Sequence, residues 1–241
     1  MSWARNICVA GALALVGVAA STVTAQAGVV VSSSGPSADD FPVGRQIGNN
    51  EPVTLSDGDS ITVLDNGGTR VFRGAGTFVL SSQSGANRNR AFASLTTQRS
   101  AVRARTGAVR GVVETGEVRN PNLWYVDVSK SGTICLLDPE NIRLWRADRQ
   151  AESTYAISSE NADGVTANVT FPAGEMLATW DADNPPAEGA SFRIGTGNGA
   201  VQVDFVFFDE TPDGAEEMAQ SLIANGCMVQ LEQMAQALVV Q

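Results

Sequence analysis

The sequence predicts a mainly β protein in which a small β domain precedes an antiparallel β-sandwich with a C-terminal helical tail. Two observations carry this expectation. Between Pro52 and Phe208, short alternations of apolar and polar residues recur with Gly, Pro, Asn and Asp turn signals between them. After Thr211 the apolar residues switch to helical spacing, at Met218 and Leu222, then at Cys227, Leu231, Met234 and Leu238. The expected plan is a leader over 1–27, the small β domain over 28–85, a basic helical linker over 86–111, and the sandwich with its tail over 112–241.

The leader is read from its three zones. Arg5 precedes an apolar run from Ile7 to Ala20, and Ala25-Gln26-Ala27 supplies the small-residue site at which a secretory signal is cut. The run falls short of the roughly 20 apolar residues that span a bilayer. Cys8 stands before the run, whereas a lipid-anchored cysteine stands after it. We therefore expect cleavage near Ala27 and a periplasmic or secreted mature chain without a transmembrane span.

In the first domain, Val53 and Leu55, and then Ile61 and Val63, alternate with polar residues. Asp57-Gly58 supplies a tight turn, and Asn66-Gly67 is a hairpin signal because a type I′ turn needs positive φ at both central residues. Val71 and then Phe78-Val79-Leu80 follow as strands. Gly74 and Gly76 lack the helix and lysine that would follow in a phosphate loop. The Leu55–Gly58–Asp59 turn, Ile61 and Val63 after it, the Gly67-Gly68 hairpin and the next strand resemble the β domain of the ferric-citrate regulator (FecR) family. That resemblance implies the β fold of this region. The family's regulators carry a cytoplasmic segment and a membrane span ahead of the domain, where this chain carries its leader. The wider pattern resembles exported bacterial proteins that pair such a domain with a second β domain.

Residues 86–110 contain six arginines and no acid. Asn89 is placed to cap a short helix with Phe92, Leu95 and Arg99 near one face. Two readings stand side by side for this segment. The arginines form a solvated face or pair with the chain's own acids, or Arg88, Arg90, Arg99, Arg103 and Arg105 form a docking patch for an anionic partner.

From Asn122 seven or eight short strands at regular spacing argue for an immunoglobulin-like β-sandwich. Trp124, Trp145 and Trp180 are expected in its core, with a surface platform for sugars as the rival reading. In the tail, Asp213 and Glu216 have capping-box spacing, and Asn225-Gly226 breaks one helix from the next. With the leader gone, two cysteines remain. In an oxidising compartment Cys135 and Cys227 are most simply a disulfide, which ties the tail to the second domain.

Composition limits the chemistry. The chain has no histidine, which removes Ser-His-Asp and Cys-His catalysis and the commonest metal ligand. No catalytic carboxylate pair stands in a telling motif. We expect no enzyme activity, no cofactor and no metal site. The net charge of −10 is unsuited to nucleic acid. It is also unevenly spread, since residues 151–241 hold 14 acids and Arg193 as their one base. The expectation is a cell-envelope interaction or scaffold module that binds a protein partner, with envelope signalling as one setting for it. A glycan- or peptidoglycan-binding module is the alternative.

Overall fold

Val29, Val30 and Val31 are all buried, an uninterrupted apolar run of the kind found in a strand covered on both faces. They belong to β1 (Gln26–Ser34). The computed structural model describes residues 26–65, 67–80, 86–97, 118–159, 166–180, 185–195 and 199–239. β1 lies between β2 (Gln46–Gly48) and β4 (Ser60–Asp65), and β5 (Gly68–Arg73) lies beyond β4, all pairings being antiparallel. The predicted hairpin closes with Asp65 opposite Gly68. β3 (Pro52–Leu55) and β6 (Gly76–Val79) form a second, two-stranded sheet. Val30, Ile47, Val53, Ile61, Val63 and Leu80 share one core with both sheets around it. Val29, Val31 and Leu64 belong to a different core.

The larger unit is the expected sandwich. β7 (Tyr125–Asp127), β8 (Gly132–Leu136), β9 (Ile142–Trp145), β10 (Ser153–Ser159), β11 (Thr166–Phe171), β12 (Leu177–Trp180), β13 (Ser191–Ile194) and β14 (Val201–Phe207) follow in chain order. One sheet runs β11-β10-β13-β14-β8 and the other β12-β9-β7. Their inner faces meet around Trp180, whose ring lies 5.0 Å from that of Phe192 and 6.0 Å from that of Phe205. Most pairings are antiparallel, but β8–β14 and β7–β9 are parallel. A tight turn forces antiparallel pairing only on strands it joins. Neither of these pairs is joined by one, so turn signals in the sequence do not reveal them.

Among the described residues three helices accompany the sheets: α1 (Ala86–Thr96), α2 (Gly214–Ala224) and α3 (Met228–Ala237). In α2, Asp213 is the N-cap residue, but its side chain makes no capping bond. Its N–H donates to Glu217 Oε2 at 3.1 Å, so the reciprocal contact comes one residue later than the Asp213–Glu216 spacing predicts. Gly226, at φ 72°, provides the left-handed turn that ends the helix. The stripe Cys227, Leu231, Met234 and Leu238 is buried as expected. The tail packs on β8 but also on β1, β4 and β5. Its last residues reach the first sheet, where the Thr69 N–H donates to the Leu238 carbonyl at 2.8 Å and Val239 bridges Thr69 in parallel.

Candidate interaction site

Helix α1 is where the basic segment enters the described structure. It starts at Ala86, so Asn89 sits inside it and is not its N-cap. A cap accepts from N–H groups two or three residues further on, and for position 89 those belong to Ala91 and Phe92, inside the helix. Leu95 is buried and Phe92 half-buried against the tail helices. Arg90 is exposed, and Arg88 lies on α1 with a side chain outside the described residues. Arg99, Arg103 and Arg105 also lie outside the described residues.

The exit of α1 is held by side chains from beyond that segment. The Trp124 indole N–H donates to the Thr96 carbonyl at 2.6 Å, and Asn122 Nδ2 donates to the Thr97 carbonyl at 2.9 Å. The Leu123 N–H donates to the Leu95 carbonyl at 2.9 Å. These bonds satisfy carbonyls that a helix end leaves open. Thr97 and Asn122 thus meet beside this core although 25 positions separate them in the chain.

The acidic half of the sequence has a concave counterpart. A cleft of about 430 Å³ opens between the end of β14 and α2, lined by Asp209, Glu210, Asp213 and Glu217 with Ser221 and Asn225. Asp209, Glu210 and Asp213 are exposed, as is Glu217. Among the described residues none of the four forms an ion pair. Ion pairs Arg45–Glu51 at 2.7 Å and Arg70–Asp65 at 3.0 Å lie in the first β unit. The four carboxylates line a wall without converging on a point that would hold a metal ion.

Two other carboxylates are bound into the fold. Asp59 is buried. The Ser37 hydroxyl and N–H, and the Ser56 N–H, hold its carboxyl below the usual range against the cost of burial. Its Oδ1 accepts from Ser37 at 3.0 Å and its Oδ2 from Ser56 at 2.5 Å. Gly35 approaches this turn so closely, at φ 103°, that a Cβ would lie 2.8 Å from the Asp59 Cα. Asp59 is therefore a turn organiser. Glu216, on the first turn of α2, is pushed up by burial and then by the charge of Asp65.

Trp124, Trp145 and Trp180 are all buried, at 2%, 3% and 2% exposure, so none offers a ring face to a sugar. Trp180 fills the sandwich, Trp124 belongs to the core under the tail, and Trp145 belongs to neither cluster. The Cys135–Cys227 disulfide is present, with Cα atoms 5.9 Å apart and both residues fully buried.

Sequence reasoning missed Gln230 and Arg146. Gln230 is 2% exposed on α3. Its Oε1 accepts from the Cys135 N–H at 2.7 Å, and its Nε2 donates to the Cys135 and Leu123 carbonyls at 2.7 and 2.8 Å. It thus pairs the outer edge of β8 as a neighbouring strand would. Arg146 is 5% exposed and donates to the Glu175 and Pro172 carbonyls and to Ser153 Oγ at 3.0, 2.9 and 2.6 Å. An amide in an apolar stripe and an arginine after a strand were the only signals for them. Comparison with protein-family models, curated proteins and solved structures finds no match to this chain.

Proposed function

We propose that this chain is an exported, non-enzymatic interaction module of the cell envelope that binds a protein partner. The observation that carries the reading is the acidic cleft at the foot of α2, whose four carboxylates have no cationic partner among the described residues. Fixed charges of one sign in a concavity speed and orient the approach of an oppositely charged surface. The buried disulfide and the leader-like residues 1–27 support an oxidising destination, periplasmic or secreted. Among the described residues no helix is long and apolar enough to cross a membrane. The same reading takes residues 28–85 as FecR-like and the larger unit as an immunoglobulin-like sandwich. It keeps the arginines of residues 86–110 as a second, oppositely charged contact.

In-cell cross-linking of the tagged protein with mass spectrometry tests this. Two variants run beside the wild type: Asp209→Asn with Glu210→Gln and Asp213→Asn, and the five-arginine change to Gln at 88, 90, 99, 103 and 105. The expected result is one dominant protein partner, at least about tenfold depleted in the acid variant. An empty profile from a folded wild-type protein would remove the reading. A partner retained by both variants would remove the charged surfaces from it.

A further inference from the structure

Among the described residues, three sheet edges are each met at one position by something other than a strand of their own sheet. The β8 edge is closed at Cys135 by the Gln230 amide. On β7 the Tyr125 carbonyl accepts from Asn120 Nδ2 at 2.8 Å. On β5 the chain's own Leu238 takes the Thr69 N–H. β11 ends its five-stranded sheet with β12, a strand of the other sheet, packed alongside it, but among the described residues no ladder hydrogen bonds join the two. Its residues, Thr166 to Phe171, include no charge and no proline, and they pair with β10 through six positions without a bulge. Charges, prolines and bulges are the means by which soluble proteins blunt an edge.

The phase of the ladder identifies the open groups. The Ala156 carbonyl accepts the Gly195 N–H at 2.8 Å, so Ala156 bonds away from β11. Its partner Asn168 is therefore a non-hydrogen-bonded pair with it, and Asn168 turns its N–H and C=O outward. Thr166 and Thr170 share that phase. Among the described residues no group bonds to these outward atoms. Arg146 reaches only the carbonyls at the strand's end, on Phe171 and Pro172. Asn168 and Thr170 are exposed, whereas Val169 and Phe171 are buried, which fixes the strand in place.

We infer that β11 is a docking edge for an extended, β-branched segment of a different protein carrying net positive charge, added to the sheet as a further strand. This rests on the protein-binding reading above and names its contact. The choice of occupant follows from charge. A second copy would bring two acidic halves together, each with 14 acids and one arginine over residues 151–241, and like charges in such juxtaposition oppose association. Backbone bonds supply affinity in this mode, and alternate side chains supply selectivity.

The probe is a short synthetic peptide of alternating threonine and valine with arginines at both ends, and a second with glutamates instead. Binding to the mature protein is followed by fluorescence anisotropy and by exchange of the Asn168 and Thr170 amides. The arginine peptide is expected to bind saturably and protect both amides, and the glutamate peptide to bind more weakly. Asn168→Pro removes an outward N–H without touching the β10 ladder and is expected to weaken binding roughly tenfold or more. Asn168→Ala keeps that N–H and is expected to bind like wild type. Equal binding by Asn168→Pro, or protection elsewhere, overturns the edge. Binding indifferent to peptide charge overturns the partner chemistry, and concentration-dependent dimers lost in Asn168→Pro replace it with a second copy. In envelope cross-linking, a partner captured equally by wild type and Asn168→Pro leaves the binding function standing and removes β11 from it.

Discussion

The sandwich core and the core beneath the helical tail are assembled from opposite kinds of neighbours. The sandwich gathers Ile157, Val169, Phe171, Phe192, Ile194 and Val203 from strands that mostly follow one another in the chain. The tail core takes Val29, Val31 and Leu64 from the first sheet, Leu95 from α1, Leu123 and Trp124 from the segment before β7, and Met218, Leu222, Leu231 and Met234 from the tail. Local closure costs little chain entropy, while distant closure costs more for each contact made. The tail core is accordingly the one with a covalent tie and a buried amide network. The two cores should therefore differ in how far they depend on those additions.

Removing the covalent tie separates them most. The disulfide closes a separation of 92 residues, which in the chain-entropy model contributes on the order of 4–5 kcal/mol. The double change Cys135→Ala with Cys227→Ala is expected to speed amide exchange across α3 by at least about a hundredfold. Slow amides of β10 and β13 should change much less. Equal acceleration in both regions would mean that the molecule opens as one unit and that the contrast between the cores has no energetic meaning.

A smaller effect sharpens the same contrast. Gln230→Ala leaves the Cys135 N–H and the Cys135 and Leu123 carbonyls without their amide partner. Buried groups left unpaired cost about 1–3 kcal/mol. The urea midpoint should fall by that amount, with the Cys135 amide losing protection first. Gln230→Glu keeps the acceptor but loses both donated bonds and buries a charge, so it should be worse than alanine. If alanine proves neutral, water replaces the amide and β8 has no need of a surrogate strand.

The two cores were also unequally legible in the sequence. Strand limits in the sandwich followed from alternation and turn residues, as at Ile142–Trp145 and Ser191–Ile194. The tail stripe followed from helical spacing, and the disulfide from cysteine count. Nothing local signals that Leu238 would bond to Thr69, or that Gln230 would serve β8. Both are pairings between residues far apart in the chain, and a polar residue within a helix carries no mark of its partner. The short β2 was missed because three residues carry too little alternation to register. Of the candidate site, the excess of acid was visible, but its cleft arises only where β14 meets α2. The charge of the basic segment was equally plain, yet of its five named arginines only Arg88 and Arg90 fall on a described element.

The smallest predicted effect concerns two carboxylates that titrate in opposite senses, Asp59 in the turn before β4 and Glu216 where the tail meets the first sheet. The Asp59 carboxyl lies below its ordinary 3.8 in the folded protein, so its contribution is present above that value and is lost as pH falls through the lowered one. Glu216 lies above its ordinary 4.5 because of burial and then Asp65. The folded state therefore holds the Glu216 proton more tightly than the unfolded chain does. Its stabilising contribution is full below 4.5 and is lost as pH rises through the folded value, so at neutral pH the ionised side chain is a net cost. Glu216 is partly exposed, so solvent screening keeps that cost small. Glu216→Gln should raise the urea midpoint slightly at pH 7 and lose that advantage below pH 4.5. An advantage constant across pH would trace the effect to helix propensity or packing. A loss at pH 7 would mean that ionised Glu216 is favourable at the N-terminus of α2, and that the helix dipole outweighs Asp65.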